Sequence, residues 1–112
     1  HVVVDATLEH LRSAAARPAV PFFVAAGLKK PHLPFYYPTE LDALYPPAEQ
    51  IAPPRQRHPP KGMPLAAWHE GLVFNNTFVR PTPPSQASIF RRAYYGAVSF
   101  TDRNVGAMLD EL

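Results

Sequence analysis

Proline decides which backbone pairings this chain can make. Each proline locks its own φ, removes an N–H donor and pushes the preceding residue out of the helical region. Fifteen prolines fall among 112 residues, roughly two to three times ordinary usage. The first is Pro18 and the last Pro84, so both ends are free of them; residues 46–84 hold ten, eight of these in the pairs 46-47, 53-54, 59-60 and 83-84. A run this long without helical or strand period is expected to be a functional loop or a linker.

The ends read differently. Ala6 to Arg17 is predicted to be a helix capped by Asp5 or Thr7, with Leu8 and Leu11 inward and Pro18 as its stop. Next comes the continuous apolar run Phe22-Phe23-Val24-Ala25-Ala26, closed by Gly27. Such a run predicts a strand buried on both faces of a parallel sheet, and helices must cover those faces, so the expected class is α/β. Lys29 to Pro38 is a stiff loop leaving that strand. Thr39 to Tyr45 predicts a short helix with Thr39 as N-cap, stopped by Pro46-Pro47. From Ser85 on, Ile89, Ala93, Ala97, Val98, Thr101, Val105, Met108, Leu109 and Leu112 recur at helical steps, which predicts one long final helix. Gly96 and Gly106 weaken it, so both are expected at close packing contacts.

Composition narrows the function classes. A formal charge of +2 and a pI near 9.2 suggest nucleic acid only if the basic residues cluster. Lys29-Lys30, Arg55 to Lys61 and Arg91-Arg92 are short and separated, so no nucleic-acid partner is expected. Arg91, Arg92 and Arg103 read instead as the solvated face of the last helix. The longest apolar run, Val20 to Leu28, is far below the roughly 20 residues of a membrane span, so no membrane partner is expected. Without cysteine there is no thiolate site or disulfide framework. His1, His10, His58 and His69 lack the spacing of a tetrahedral metal site. Trp68, Phe74 and Phe78 are expected to anchor the proline-rich loop, and Asn75-Asn76-Thr77 is a glycosylation sequon. The first residue is His1 and no leader pattern follows it, so the chain is expected to be an internal fragment.

The chemistry-bearing stretch is Pro21-Phe-Phe-Val-Ala-Ala-Gly-Leu-Lys-Lys-Pro-His-Leu-Pro-Phe35. A strand delivers a cationic, proline-braced loop at its C-terminal end, where open α/β sheets bind ligands. Pro31 and Pro34 bias Lys30 and Leu33 toward extended geometry and so hold His32. A held imidazole can donate to an anionic oxygen or pass a proton, and Lys30 adds fixed charge. Taken alone, a loop histidine beside two lysines reads as a solvated surface feature.

That stretch, with Tyr37-Pro38 and Leu44-Tyr45-Pro46, resembles the central segment of sulfatases of the iduronate-2-sulfatase branch and its bacterial relatives. Tyr94-Tyr95-Gly96-Ala97-Val98-Ser99-Phe100-Thr101-Asp102, with Val105-Gly106 and Leu109, is similar to the helix that follows this loop in sulfatases. The resemblance implies that residues 1–112 are an internal piece of an alkaline-phosphatase-like α/β catalytic domain: helix, buried parallel strand, proline-rich loop, long helix. It implies a sulfuric ester hydrolase acting on sulfated sugars such as glycosaminoglycans, with a formylglycine nucleophile beside calcium, and a lysosomal, secreted or periplasmic setting. His32 becomes the catalytic residue facing the sulfate group, and Lys30 a substrate-binding one.

The departures bear on activity. No Cys-x-Pro-x-Arg or Ser-x-Pro-x-Arg stretch is present, so the nucleophile is missing. Asp102 and Asp110 lack a partner carboxylate cluster, so no metal ligand is assigned and calcium is expected only in the full-length family enzyme, with the remainder of the sulfatase domain as partner. Two rivals stand beside this reading. One is a proline-rich binding module presenting Pro18-Pro21, Pro31-Pro34 and Pro81-Pro84; the other is a non-catalytic, sulfatase-derived scaffold.

Overall fold

The computed structural model describes residues 2–56, 60–67, 73–74, 77–78 and 83–112. The first helix, α1, covers Val2–Ala15. It starts earlier than the capping pattern predicts. Asp5 lies inside the first turn, beside the positive end of the helix dipole, and Thr7 is mid-helix, its hydroxyl donating to Val3 O at 2.8 Å. Val4, Thr7, Leu11 and Ala14 form the buried stripe. Packing of that stripe overrides the weak helix propensity of three consecutive valines. The helix closes ahead of Pro18, with Ala16 N–H on Arg12 O and Arg17 N–H on Ala14 O.

Residues 21–29 carry no regular secondary structure and pair with no strand among the described residues, and Phe22 and Phe23 are 55% and 92% exposed. The expected buried parallel strand is therefore not formed here, and the described architecture is mainly helical rather than a layered α/β sheet. The reason lies in the nature of a strand, whose amides and carbonyls need a neighbouring chain. The one described ladder is a short antiparallel pair, β1 at Val73–Phe74 and β2 at Thr77–Phe78, with Val73 opposite Phe78 and Phe74 opposite Thr77.

The second helix, α2, runs Pro84–Leu109, 26 residues, or about 39 Å. Pro84 occupies its first turn, where the missing N–H costs nothing. α1 packs against it, and Arg12 on α1 bonds Glu111 just past its end at 2.7 Å. Residues 30–52 are draped along another side of α2. Because five of them are proline, this segment carries more carbonyls than donors, and its conformation is three-to-ten turns and irregular backbone. The predicted short helix is a three-to-ten helix at Thr39–Leu44, with Pro38 rather than Thr39 at the N-cap, and another turn follows at Ala48–Gln50.

Polar side chains of α2 satisfy those carbonyls. Thr101 Oγ1 donates to Lys30 O at 2.9 Å; Arg92 donates to Asp42 O at 2.8 Å and to Pro46 O at 2.9 Å; Ser88 donates to Ile51 O and Arg91 to Ala52 O, both at 2.7 Å. Arg91 and Arg92 are thus not the solvated face that their sequence suggests. Arg103 is more exposed and reaches Glu40 at 3.1 Å. By contrast Ile89, Val98, Val105 and Leu109, members of the helical pattern, are exposed, because the loop covers only one face of a long helix. The radius of gyration is 19.6 Å, against about 13 Å for a compact domain of this length. Apolar surface on α2 and on residues 20–23 is left uncovered.

A third three-to-ten turn, Leu65–Ala67, lies in the proline-rich region, and Gly62 there has φ +80° in the turn Pro60–Met63, a left-handed conformation that favours glycine. His1, His58, His69, Trp68 and the Asn75 sequon lie outside the described residues, as do the side chains of Phe74 and Phe78. Pro81, needed for the third Pro-x-x-Pro, lies outside them too.

The two helix glycines separate. A Cβ on Gly96 would meet the Tyr37 ring, with Cε1 at 2.7 Å, whereas one on Gly106 would meet nothing within 4 Å. Gly96 is there for close approach and Gly106 is not. Gly96→Ala is therefore expected to destabilise the protein by about 1–3 kcal/mol through overpacking, while Gly106→Ala stabilises by up to about 1 kcal/mol through helix propensity. Urea denaturation of both variants checks this, and shifts of the same sign would contradict it.

Candidate functional site

The loop between residues 29 and 38 is a turn, not the extended brace its prolines suggest. The Lys30-Pro31 and Leu33-Pro34 peptide bonds are both cis, His32 N–H donates to Lys29 O at 3.0 Å, and Tyr36 N–H donates to Pro34 O at 2.8 Å. His32 stands between the two prolines with its side chain exposed. Its Nδ1 lies 2.8 Å from Leu33 O. A carbonyl oxygen only accepts, so Nδ1 carries the proton and Nε2 is the ring atom left for a ligand.

Lys30 lies in the same turn, but its ammonium is folded back on the loop. Nζ donates to His32 O at 3.2 Å and to Pro34 O, and it sits 5.5 Å from the centroid of the Tyr36 ring. The two residues singled out from sequence are thus brought together, with the lysine serving the backbone around the imidazole while its charge stays beside it. Lys29 is exposed.

Beneath the turn, α2 supplies a shelf. Ala97 is 0% exposed and Gly96 is buried, so the loop lies directly on the helix. Phe35 meets Tyr94 edge to face, with centroids 5.7 Å apart and an interplanar angle of 80°. Tyr37 lies over Gly96, and its hydroxyl donates to Asp42 Oδ1 at 3.0 Å. The same carboxylate oxygen accepts from Arg92 Nη1. Tyr45 donates to Tyr95 O at 3.1 Å and takes the Ser99 hydroxyl as its own donor. Sequence reasoning missed Tyr37, Asp42, Arg92 and Thr101. Gly96 was the available signal, since a glycine inside a helix marks a close neighbour.

Electrostatics follow the contacts. Burial first, then the hydrogen bond to Asp42, raises the Tyr37 phenol above the usual tyrosine range. A backbone hydrogen bond at Glu40 and then the Arg103 guanidinium lower the Glu40 carboxyl. No three histidine, aspartate or glutamate side chains among the described residues could hold a metal ion together. Two clefts lie elsewhere, one between the end of α1 and Leu112, the other between Ala48–Gln50 and the start of α2; neither is lined by His32. His32 belongs to an open surface. The Pro31-Pro34 and Pro18-Pro21 spacings are both folded into turns, the latter through Val20 N–H on Arg17 O, and do not present polyproline II.

No family model matches the chain, and no solved structure matches it. Among curated proteins it is similar to iduronate 2-sulfatase of Mus musculus and of Homo sapiens, each 34% identical over 115 residues that cover 94% of this chain and 20% of the relative. A sulfatase of Formosa agariphila is 32% identical over 97 residues, covering 82% of this chain and 18% of that protein. The chain spans about a fifth of the length of the curated relatives it matches.

The Tyr37 assignment is testable by pH. A phenol raised in the folded state adds stability below the ordinary tyrosine range, and that contribution is lost as pH rises through the raised value. Phenolate absorbance is expected to show a tyrosine titrating above the ordinary tyrosine range, absent in Tyr37→Phe and moved back toward that range in Asp42→Asn. Unchanged titration in both variants would remove the assignment.

Proposed function

We propose that this chain, which resembles sulfatases of the iduronate 2-sulfatase type, is an internal segment of a sulfatase catalytic domain and forms one wall of a site for sulfate esters. The observation that carries this reading is the Lys30 to Phe35 turn, pinned on α2 with His32 exposed, inside a chain similar to sulfatases over 94% of its length. As the imidazolium, with its Nδ1–H held by Leu33 O, His32 donates Nε2–H to the sulfate group, and the fixed charge of Lys30 adds to the field that the group meets. A sulfuryl transfer gathers negative charge on its oxygens, and donors held in advance stabilise it without reorganisation. The substrate class is a sulfated sugar, including glycosaminoglycans.

In family enzymes a formylglycine and a calcium ion supply the nucleophile and the Lewis acid. No group of residues among the described ones fits a metal ion, and the sequence has no cysteine to become a formylglycine. Both groups are to come from the remainder of the domain, which also gives residues 22–26 their place. Exposed as they are, Phe22 and Phe23 suit a strand inserted between neighbours of a parallel sheet. The exposed Val98, Val105 and Leu109 on α2 suit the layer packed against it.

In the complete protein, His32→Ala is expected to lower kcat/KM for an aryl sulfate by roughly 10²–10³-fold, and the 112-residue chain alone is expected to show no hydrolysis. Turnover by the isolated chain, or a His32→Ala enzyme as active as its parent, would sink the reading.

A further inference from the structure

The His32 turn is held by a chain of contacts that the family resemblance does not assign. Thr101 Oγ1 stands 2.9 Å from Lys30 O and 3.1 Å from Ala97 O. A hydroxyl has one proton. The Ala97 carbonyl already receives an α-helical amide, as any carbonyl four residues back does, whereas the Lys30 carbonyl sits in a proline-rich loop that is poor in donors. The Thr101 proton therefore does more on Lys30. At its other end Lys30 grips the turn, with Nζ on the carbonyls of His32 and Pro34, the two flanking Leu33, and these are charge-assisted bonds. One residue is thus fastened to the helix by its backbone and to the imidazole's own backbone by its side chain. Beneath it the buried Gly96 and Ala97 lack bulk, so the loop rests on the helix rather than above it.

We infer that Thr101 is a positioning residue, which by way of Lys30 sets the place of the His32 imidazole relative to α2 and acts on the sulfate ester through that imidazole. The inference rests on the sulfatase reading of His32. Placement matters here because misplacing a reacting group by about 1 Å can cost on the order of 100-fold in rate. Phe35 against Tyr94 and Tyr37 over Gly96 fix the loop further along the chain, leaving Thr101 as the described side-chain hydrogen bond from α2 to the turn itself.

The test uses the complete protein with an aryl sulfate as probe. Thr101→Val keeps the shape and removes the hydroxyl, and is expected to lower kcat about 10- to 100-fold, while Thr101→Ser recovers activity to within about threefold. In a His32→Ala background Thr101→Val should change the residual rate less than about twofold, because its effect passes through the imidazole. Thr101→Ala, with higher helix propensity, serves the same comparison where the valine variant does not fold. Full activity of Thr101→Val, or an equal loss with and without His32, overturns the inference but leaves the sulfatase reading standing. Absence of hydrolysis in the unmodified protein overturns both.

Discussion

The loop from residue 30 to residue 52 cannot satisfy its own backbone, and α2 does it instead. Prolines 31, 34, 38, 46 and 47 remove five N–H donors from a stretch that keeps every carbonyl. A buried carbonyl without a donor costs about 1–3 kcal/mol, so the segment can lie against the helix only where the helix brings donors. Thr101, Arg92, Ser88 and Arg91 bring them, at Lys30, Asp42 and Pro46, Ile51, and Ala52. The spacing of these four residues along α2 sets the path of the loop.

Arg92 shows why this clamp is not a surface ion pair. Its bond to the Asp42 carboxylate is partly exposed and by itself worth at most about 1 kcal/mol. Two further N–H groups hold the Asp42 and Pro46 carbonyls, so the planar guanidinium also closes the C-terminal end of the Thr39–Leu44 turn. Replacement by lysine would keep the charge and lose that geometry. Asp42 in turn holds the Tyr37 hydroxyl, and Tyr37 needs Gly96. The contacts form one connected set running from the start of α2 to the His32 turn.

Against this tight polar seam, the apolar surface is open. Phe23, Leu33, Leu109 and Leu112 are exposed, and among the described residues the buried hydrophobic ones are Val4, Leu11, Ala14, Leu41 and Ala97. A sulfatase segment has this character under the proposed reading, because its sheet neighbours are supplied by other parts of the domain. The site shares the property. His32 is presented on a surface, and the groups that complete a reaction are to face it from elsewhere.

The sequence determined the two helices and marked the loop histidine, but not the turn that holds it. Pro18 and Pro84 limit where long helices can run, the apolar steps after Ser85 set α2, and Lys-Pro-His-Leu-Pro-Phe marked His32 and Lys30. Helical periodicity and proline stereochemistry act within a few residues, so they can be read from a single chain. The start of α1 at Val2, the three-to-ten form of Thr39–Leu44 and the inward fold of the Lys30 ammonium were decided only in three dimensions. So were the roles of Thr101, Arg92 and Tyr37, whose partners stand up to 71 residues away. The strand at residues 22–26 shows the limit most clearly. Its composition predicts a doubly buried strand, yet a strand's hydrogen bonds belong to its neighbours, and no local pattern can provide them.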